Sequence, residues 1–150
     1  MNIIPTPKKV RVTGERGATV SFEPIIKKTS VFVDAVASFI SYVEKAYGIA
    51  IEENEDGAIR VIQDESIEAE AYRIIVDNGA VTIYAGDKVG ANHAFATILQ
   101  VMQMDAGNIV LPLVVIEDKP DCSYRGMMVD LARNWHSFPY LLSYVDMCYF

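Results

Sequence analysis

The sequence predicts an α+β fold: a small, mostly antiparallel sheet with two helices packed on one face. Three observations carry this. Apolar residues recur at three- and four-residue spacing over 31–47 and again over 90–104, the signature of amphipathic helices. Short runs of β-branched and aromatic residues, punctuated by Gly, Asn and Asp, lie around them and read as strands. Finally, Asn78-Gly79 stands between two such runs, the preferred pair for a tight hairpin. Helices gathered on one side of such a sheet bury both apolar surfaces at once.

Taken in order, Pro5 and Pro7 remove backbone donors and lead an extended segment into a strand over Lys9–Thr13. Gly14-Glu-Arg-Gly17 supplies a turn and Ala18–Phe22 a second strand, together reading as a hairpin. Thr29 or Ser30 can cap a helix over Val31–Tyr47, with Asp34 near the positive end of its dipole. Val33, Val36, Ile40, Val43 and Tyr47 form its apolar stripe, and Gly48 stops it where a left-handed residue is wanted. Ile49–Ile51 reads as a brief strand. Glu52–Gly57 is a charged loop whose acidity invites a calcium reading, but the alternating ligand positions and closing glutamate are missing, so it reads as solvated.

Ala58–Ile62 is the next strand and Gln63–Glu70 a polar loop. Tyr72–Asp77 and Ala80–Ala85 then flank Asn78-Gly79, and a two-residue type I′ turn there pairs Val76 with Val81, Ile74 with Ile83 and Tyr72 with Ala85. That side of the hairpin is wholly apolar and needs a cover. The second helix, Gly90–Met104, supplies it with Ala94, Phe95, Ile98, Val101 and Met102, set opposite His93, Thr97, Gln100 and Gln103. Its lead-in, Gly86-Asp-Lys-Val-Gly90, lacks the spacing and the Gly-Lys-Ser/Thr ending of a phosphate loop and reads as a plain turn. Asp105–Asn108 turns the chain into a strand, Ile109–Ile116, with Pro112 at an edge or bulge. Glu117–Ser123 is a linker.

Within Asp118–Asn134 a short apolar strand opens on Arg125 and closes on Asp130, and the remaining Trp135–Phe150 is too short to cover both of its faces. The expectation is a second domain that has only begun.

With 51% hydrophobic and 22% charged residues the composition is globular, and 150 residues can hold one domain with a real core. Thirteen Lys and Arg against 20 Asp and Glu leave a net charge of −7 with no basic cluster, which disfavours nucleic acid and anionic membrane as partners. No run approaches the ~18 apolar residues of a membrane span, and Met1–Val10 lacks the apolar core of a signal peptide, the expectation for a cytoplasmic or mature start. Cys122 and Cys148 make no C-x-x-C and have no histidine at ligand spacing, so no metal or cofactor is called for and the thiols read as reduced.

Few residues suggest chemistry. Arg125 reads either as the partner of Asp118, Asp121 or Asp130, or as a fork of donors aimed at ligand oxygens. Asp130 reads as a cap or a salt bridge with Arg133, or as a residue at the end of a barrel strand. His93 sits on a polar helix side without a local carboxylate, and Trp135 and His136 could stack on a sugar or pack inward. Paired carboxylates, a nucleophile elbow and a cysteine-histidine set are all missing from the sequence.

Glu70-Ala-Tyr-Arg-Ile-Ile-Val76, the Asn-Gly turn, Val81-Thr-Ile-Tyr-Ala85, Gly90 and Phe95-Ala-Thr-Ile-Leu-Gln100 resemble the N-terminal domain of glycoside hydrolase family 20 β-N-acetylhexosaminidases. Behind them, Asp118-Lys-Pro and Tyr124-Arg-Gly-Met-Met-Val-Asp-Leu-Ala-Arg133 resemble that family's entry into its catalytic barrel. The resemblance implies an accessory α+β domain over 1–121, with 122–150 the truncated start of a (β/α)₈ barrel: a first strand over Tyr124–Asp130 and a helix beginning at Phe138.

It also implies a retaining enzyme that removes terminal N-acetylhexosamine from glycans. In that mechanism the substrate's own acetamide oxygen is the nucleophile, and an Asp-Glu pair lies beyond residue 150. Arg125 would hydrogen-bond sugar hydroxyls, no catalytic residue would lie in this chain, and the chain alone would be inactive. After Arg133 the sequence departs from the family with Asn-Trp-His-Ser-Phe at the first barrel loop. The reading from another class is a non-catalytic carbohydrate-binding or structural support module. Exposed apolar surface on the unpaired strand implies self-association or a disordered tail after Asp121.

Overall fold

A computed structural model describes residues 2–15 and 17–149. Arg16 of the expected 14–17 turn, and Phe150 at the end of the expected last helix, lie outside the described residues. The chain divides into two compact units, Met1–Lys119 and Pro120–Phe150.

In the first unit the elements follow as β1 (Lys9–Val12), β2 (Thr19–Phe22), β3 (Ile25–Lys27), α1 (Val33–Tyr47), β4 (Glu52–Asn54), β5 (Ile59–Gln63), β6 (Tyr72–Val76), β7 (Val81–Ala85), α2 (Lys88–Val101), β8 (Gln103–Asp105), β9 (Asn108–Pro112) and β10 (Val114–Asp118). Seven strands form one sheet in the order β1-β10-β6-β7-β5-β3-β4, and β2-β9-β8 form a second.

The large sheet is mixed. Its β1, β10, β6 and β7 run antiparallel to their neighbours, whereas β7, β5, β3 and β4 run parallel. The expectation of mostly antiparallel pairing holds for five of the eight strand pairings among the described residues, and the parallel half of the large sheet was not expected. Parallel neighbours need a crossover connection, and α1 provides it between β3 and β4. Strand β3 was not expected, and β4 lies in the stretch read as a solvated loop, so the crossover was hidden; 49–51, expected as a strand, lies outside any.

The expected hairpin of the first two strands is also corrected. Both pair with one ribbon, β1 with β10 and β2 with β9. The segment between them turns aside where that ribbon changes sheets, with the Thr13 amide donating to the Leu113 carbonyl (3.0 Å) and the Leu113 amide to that of Ala18 (3.3 Å). Pro112 ends β9 at this corner, beyond the last residue of β9 that pairs with β8, so its missing donor costs no ladder bond on that side.

The β6-β7 hairpin has the expected register, from Val76 opposite Val81 to Tyr72 opposite Ala85. Its turn is not type I′, which needs positive φ at both central residues: neither Asn78 nor Gly79 has it. The Asp77 carboxylate decides this by accepting from the amides of Gly79 and Ala80, both at 2.8 Å. Positive φ at both positions occurs instead at Ala106 (47°) and Gly107 (84°), between β8 and β9.

Ile59, Ile74, Val76, Val81, Ile83, Val114 and Ile116 are buried on one face of the large sheet. Helix α2 packs on β6 and β7 there, with α1 beside it, and Phe39 stacks on Phe95 at 4.6 Å. Burial of ten or so such side chains, at about 1.5–3 kcal/mol each, is what holds the layers together. Helix α1 starts at Val33 rather than Val31, because Phe32 is left-handed (φ 52°) and Thr29 Oγ1 accepts the Val31 amide upstream (3.1 Å) instead of capping. Gly48 closes the helix as expected, with φ 67° and its amide on the Glu44 carbonyl.

Helix α2 is capped by Asp87, whose side chain accepts the Gly90 amide at 2.8 Å. A Cβ on Gly90 would meet the Ala71 carbonyl oxygen at 2.3 Å, so glycine there permits the close approach of helix and strand. The helix ends at Val101, and Gln103 and Met104, expected inside it, belong to β8.

In the second unit, α3 (Phe138–Tyr149) forms with no buried residue. The strand expected over Tyr124–Asp130 is not formed: among the described residues nothing pairs with it, and without a ladder extended backbone is not a strand. No described helix is long and apolar enough to cross a membrane.

Candidate functional site

The stretch singled out from the sequence resolves into local contacts. The exposed Arg125 donates from Nη1 to the backbone carbonyl of Cys122. Asp130 takes Arg133 as its partner, accepting from Arg133 Nε at 2.6 Å and from the amides of Ala132 (3.0 Å) and Arg133 (3.2 Å). The Arg133 side chain first, and then these amides, hold the Asp130 carboxyl below its ordinary pKa. This is the cap-and-salt-bridge reading, and an exposed pair of this kind contributes little stability.

His136 is stacked on Tyr140 (5.1 Å between ring centres) and edge-on to Tyr144 (5.8 Å), so it packs on the helix that follows it. Trp135 is 84% exposed. His93 is half-buried on α2, and Cys122 and Cys148 are free, exposed thiols. Among the described residues no group of three or more His, Cys, Asp or Glu could hold a metal. The loop before Gly57 is ordered by Asn54, whose Oδ1 accepts the Asp56 amide at 2.9 Å.

A cleft that sequence reasoning missed lies wholly within Met1–Lys119, about 310 Å³ in volume and lined by Lys8, Glu68, Tyr72, Arg73, Asp118 and Lys119 among others. On its floor the Tyr72 hydroxyl lies 2.6 Å from Thr97 Oγ1 and donates at 3.4 Å, a long bond, to Asp118 Oδ2. Burial pushes the Tyr72 hydroxyl above its ordinary pKa range, and the neighbouring Asp118 charge adds to this. Tyr72 is a hydrogen-bonding group, not an acid–base group, at physiological pH.

One signal was present in the sequence. Tyr72 stands on the apolar side of the hairpin, and a tyrosine turned inward needs a partner for its hydroxyl. Thr97, expected on the polar side of the helix, supplies it and is only 5% exposed.

Several of the cleft's charges are paired: Lys119 with Glu68 (2.5 Å), and Glu117 with Lys9 (3.3 Å) and Arg73 (3.4 Å). The Arg73 contact is ion-pair proximity without hydrogen-bond alignment.

Residues 1–119 match the family model described as glycosyl hydrolase family 20, domain 2. The chain belongs to glycosyl hydrolase family 20. Among curated family-20 relatives, the β-hexosaminidase of Vibrio furnissii is 42% identical over 66 residues, 44% of this chain and 11% of that protein. The N,N′-diacetylchitobiase of Vibrio harveyi is 36% identical over 76 residues, 51% of this chain and 8% of that protein. The chain thus spans about a tenth of the length of these relatives.

The exo-β-N-acetylglucosaminidase of Vibrio harveyi, solved in complex with N-acetylglucosamine, superposes with a TM-score of 0.89 at 24% identity, covering 97% of this chain and 23% of that one. The Streptomyces plicatus N-acetyl-β-hexosaminidase gives 0.81 at 23% identity, covering 97% and 31%. These likenesses establish the fold. Arg125 and Asp130 lie after the stretch matched by the family-20 domain, and the Tyr72–Thr97 contact lies inside it.

Proposed function

We propose that this chain is the domain-2 portion, and the entry into the barrel, of a retaining, substrate-assisted β-N-acetylhexosaminidase that removes terminal N-acetylhexosamine from glycans. The family-20 match over residues 1–119 carries this reading. On it, residues 1–121 are the accessory domain and 122–150 open a (β/α)₈ barrel.

The second unit's surface supports the assignment. Tyr124 (89% exposed), Met128 (93%) and Trp135 (84%) present apolar area out of proportion to 31 residues in water. Such side chains suit a strand and helix with neighbours on both sides. Arg125 serves the sugar site: an exposed guanidinium offers paired donors at the spacing of a diol. The catalytic Asp-Glu pair lies outside these 150 residues, so the chain alone turns over nothing.

The test is to follow the reading frame past the codon for Phe150 and express its whole product. It should contain an adjacent Asp-Glu pair and release nitrophenol from nitrophenyl N-acetyl-β-glucosaminide. In that product Arg125→Ala should lower kcat/KM roughly 10- to 150-fold, the loss of a charged hydrogen bond of about 1.5–3 kcal/mol. A whole product without activity, or turnover by the 150-residue chain itself, would refute the assignment. The uncovered apolar surface also makes the 150-residue chain self-associate, to be read by sedimentation velocity; a strict monomer at all concentrations counts against it.

A further inference from the structure

The last two residues of the first unit are held by side-chain contacts from separate parts of that unit. Asp118 Oδ1 accepts the backbone amide of Lys8 at 3.0 Å, and Asp118 Oδ2 faces the Tyr72 hydroxyl at 3.4 Å. Lys119 Nζ meets Glu68 Oε2 at 2.5 Å.

Each partner is itself anchored. Tyr72 is buried against Thr97 of α2. Lys8 immediately precedes β1, whose ladder with β10 begins at Lys9 opposite Glu117. The segment before it is tied to α2, where Gln100 accepts the Ile4 amide (2.9 Å) and donates to the Ile4 carbonyl (3.0 Å). Glu68 lies in the 64–71 loop, which Asp87 fastens to the start of α2 by accepting the Glu70 amide (3.1 Å).

A strand that ends at a domain boundary ordinarily frays there, because its final residues lack one side of the ladder and face water. Here a side chain at the very last strand position takes up the amide of the N-terminal segment, and the next residue is pinned to a loop on the other side. We propose that Asp118 is a positioning residue: with Glu68–Lys119 it clamps the point and direction at which the chain leaves the first unit. The segment that carries Arg125 therefore starts from a fixed base. For catalysis this rests on the function proposed above; the clamp itself does not.

The bonding pattern separates this role from plain stabilisation. Asp118→Ala removes both of its contacts. Asp118→Asn keeps an oxygen for the Lys8 amide. Thr97→Val breaks the buried Tyr72 contact but leaves the Asp118 acceptors in place, so it weakens the fold without opening the clamp.

Two measurements test it. In the 150-residue chain, ¹⁵N relaxation should show the Lys119 amide losing order in Asp118→Ala, while Asp118→Asn and Thr97→Val stay like wild type. In the whole enzyme, Asp118→Ala should raise KM about fivefold with kcat within twofold, Asp118→Asn should restore KM, and Thr97→Val should lower Tm at unchanged KM. Unchanged order at Lys119 in Asp118→Ala overturns the clamp, as does a Thr97→Val enzyme whose KM rises as much. If the whole product is inactive the proposed function fails, and the relaxation measurement alone decides the clamp.

Discussion

Replacing Asp87 with alanine removes two contacts at one stroke. Its Oδ1 accepts the Gly90 amide at 2.8 Å, capping α2, and its Oδ2 accepts the Glu70 amide at 3.1 Å, holding a residue whose φ is 63°. Loss of an N-cap acceptor costs about 1 kcal/mol and can reach 2. The second, part-buried amide is left without its acceptor and adds about 1 kcal/mol. Asp87→Ala should therefore destabilise the domain by roughly 2–3 kcal/mol, a fall in Tm of about 6–15 °C for a unit of this size.

Asp87→Asn separates the contributions. The amide retains one acceptor oxygen but presents N–H to the other donor, so it should recover about half of the loss. Circular dichroism melts of the three proteins under one buffer give the comparison. A change in Tm below about 2 °C for Asp87→Ala, or Asn no better than Ala, would refute the two-contact account.

Three further outcomes follow from single features. Phe39 is fully buried and stacked on Phe95, so Phe39→Ala should cost about 3–5 kcal/mol in urea titrations, a large part of a domain's stability. Ala106 holds a left-handed φ of 47°, which alanine adopts at a cost of about 1–2 kcal/mol. Ala106→Gly should therefore raise Tm by a few degrees, roughly 0.5–1 kcal/mol net of glycine's extra unfolded-state entropy. The Asp130 carboxyl titrates below its ordinary value because of Arg133 and the turn amides. A depressed folded pKa means the turn's contribution is present above the unfolded pKa and lost as pH falls through the folded one. Arg133→Ala should move the Asp130 titration, followed by NMR, back up towards the ordinary carboxylate value.

Within the candidate site, legibility followed sequence distance. Asp130 and Arg133 are three residues apart, and their pairing was readable because turn geometry is local. Arg125 was readable only through resemblance, since nothing in the spacing of its neighbours singles out a sugar. The Tyr72 hydroxyl's partners are 25 and 46 residues away, and no period in the sequence connects them. For the same reason the exit clamp could not be foreseen.

By itself the sequence determined the two helices, the Gly48 stop, the register of the β6-β7 hairpin and the family. All of these rest on short-range periods, turn chemistry or motif order, each set by a few adjacent residues. The tertiary structure alone decided that half of the large sheet runs parallel, that β1 and β2 share a ribbon instead of pairing, and that α2 is buried on its Thr97 side. Strands of three or four residues are too short to show a period, and their partners are chosen by which distant apolar faces and backbone donors can be satisfied together.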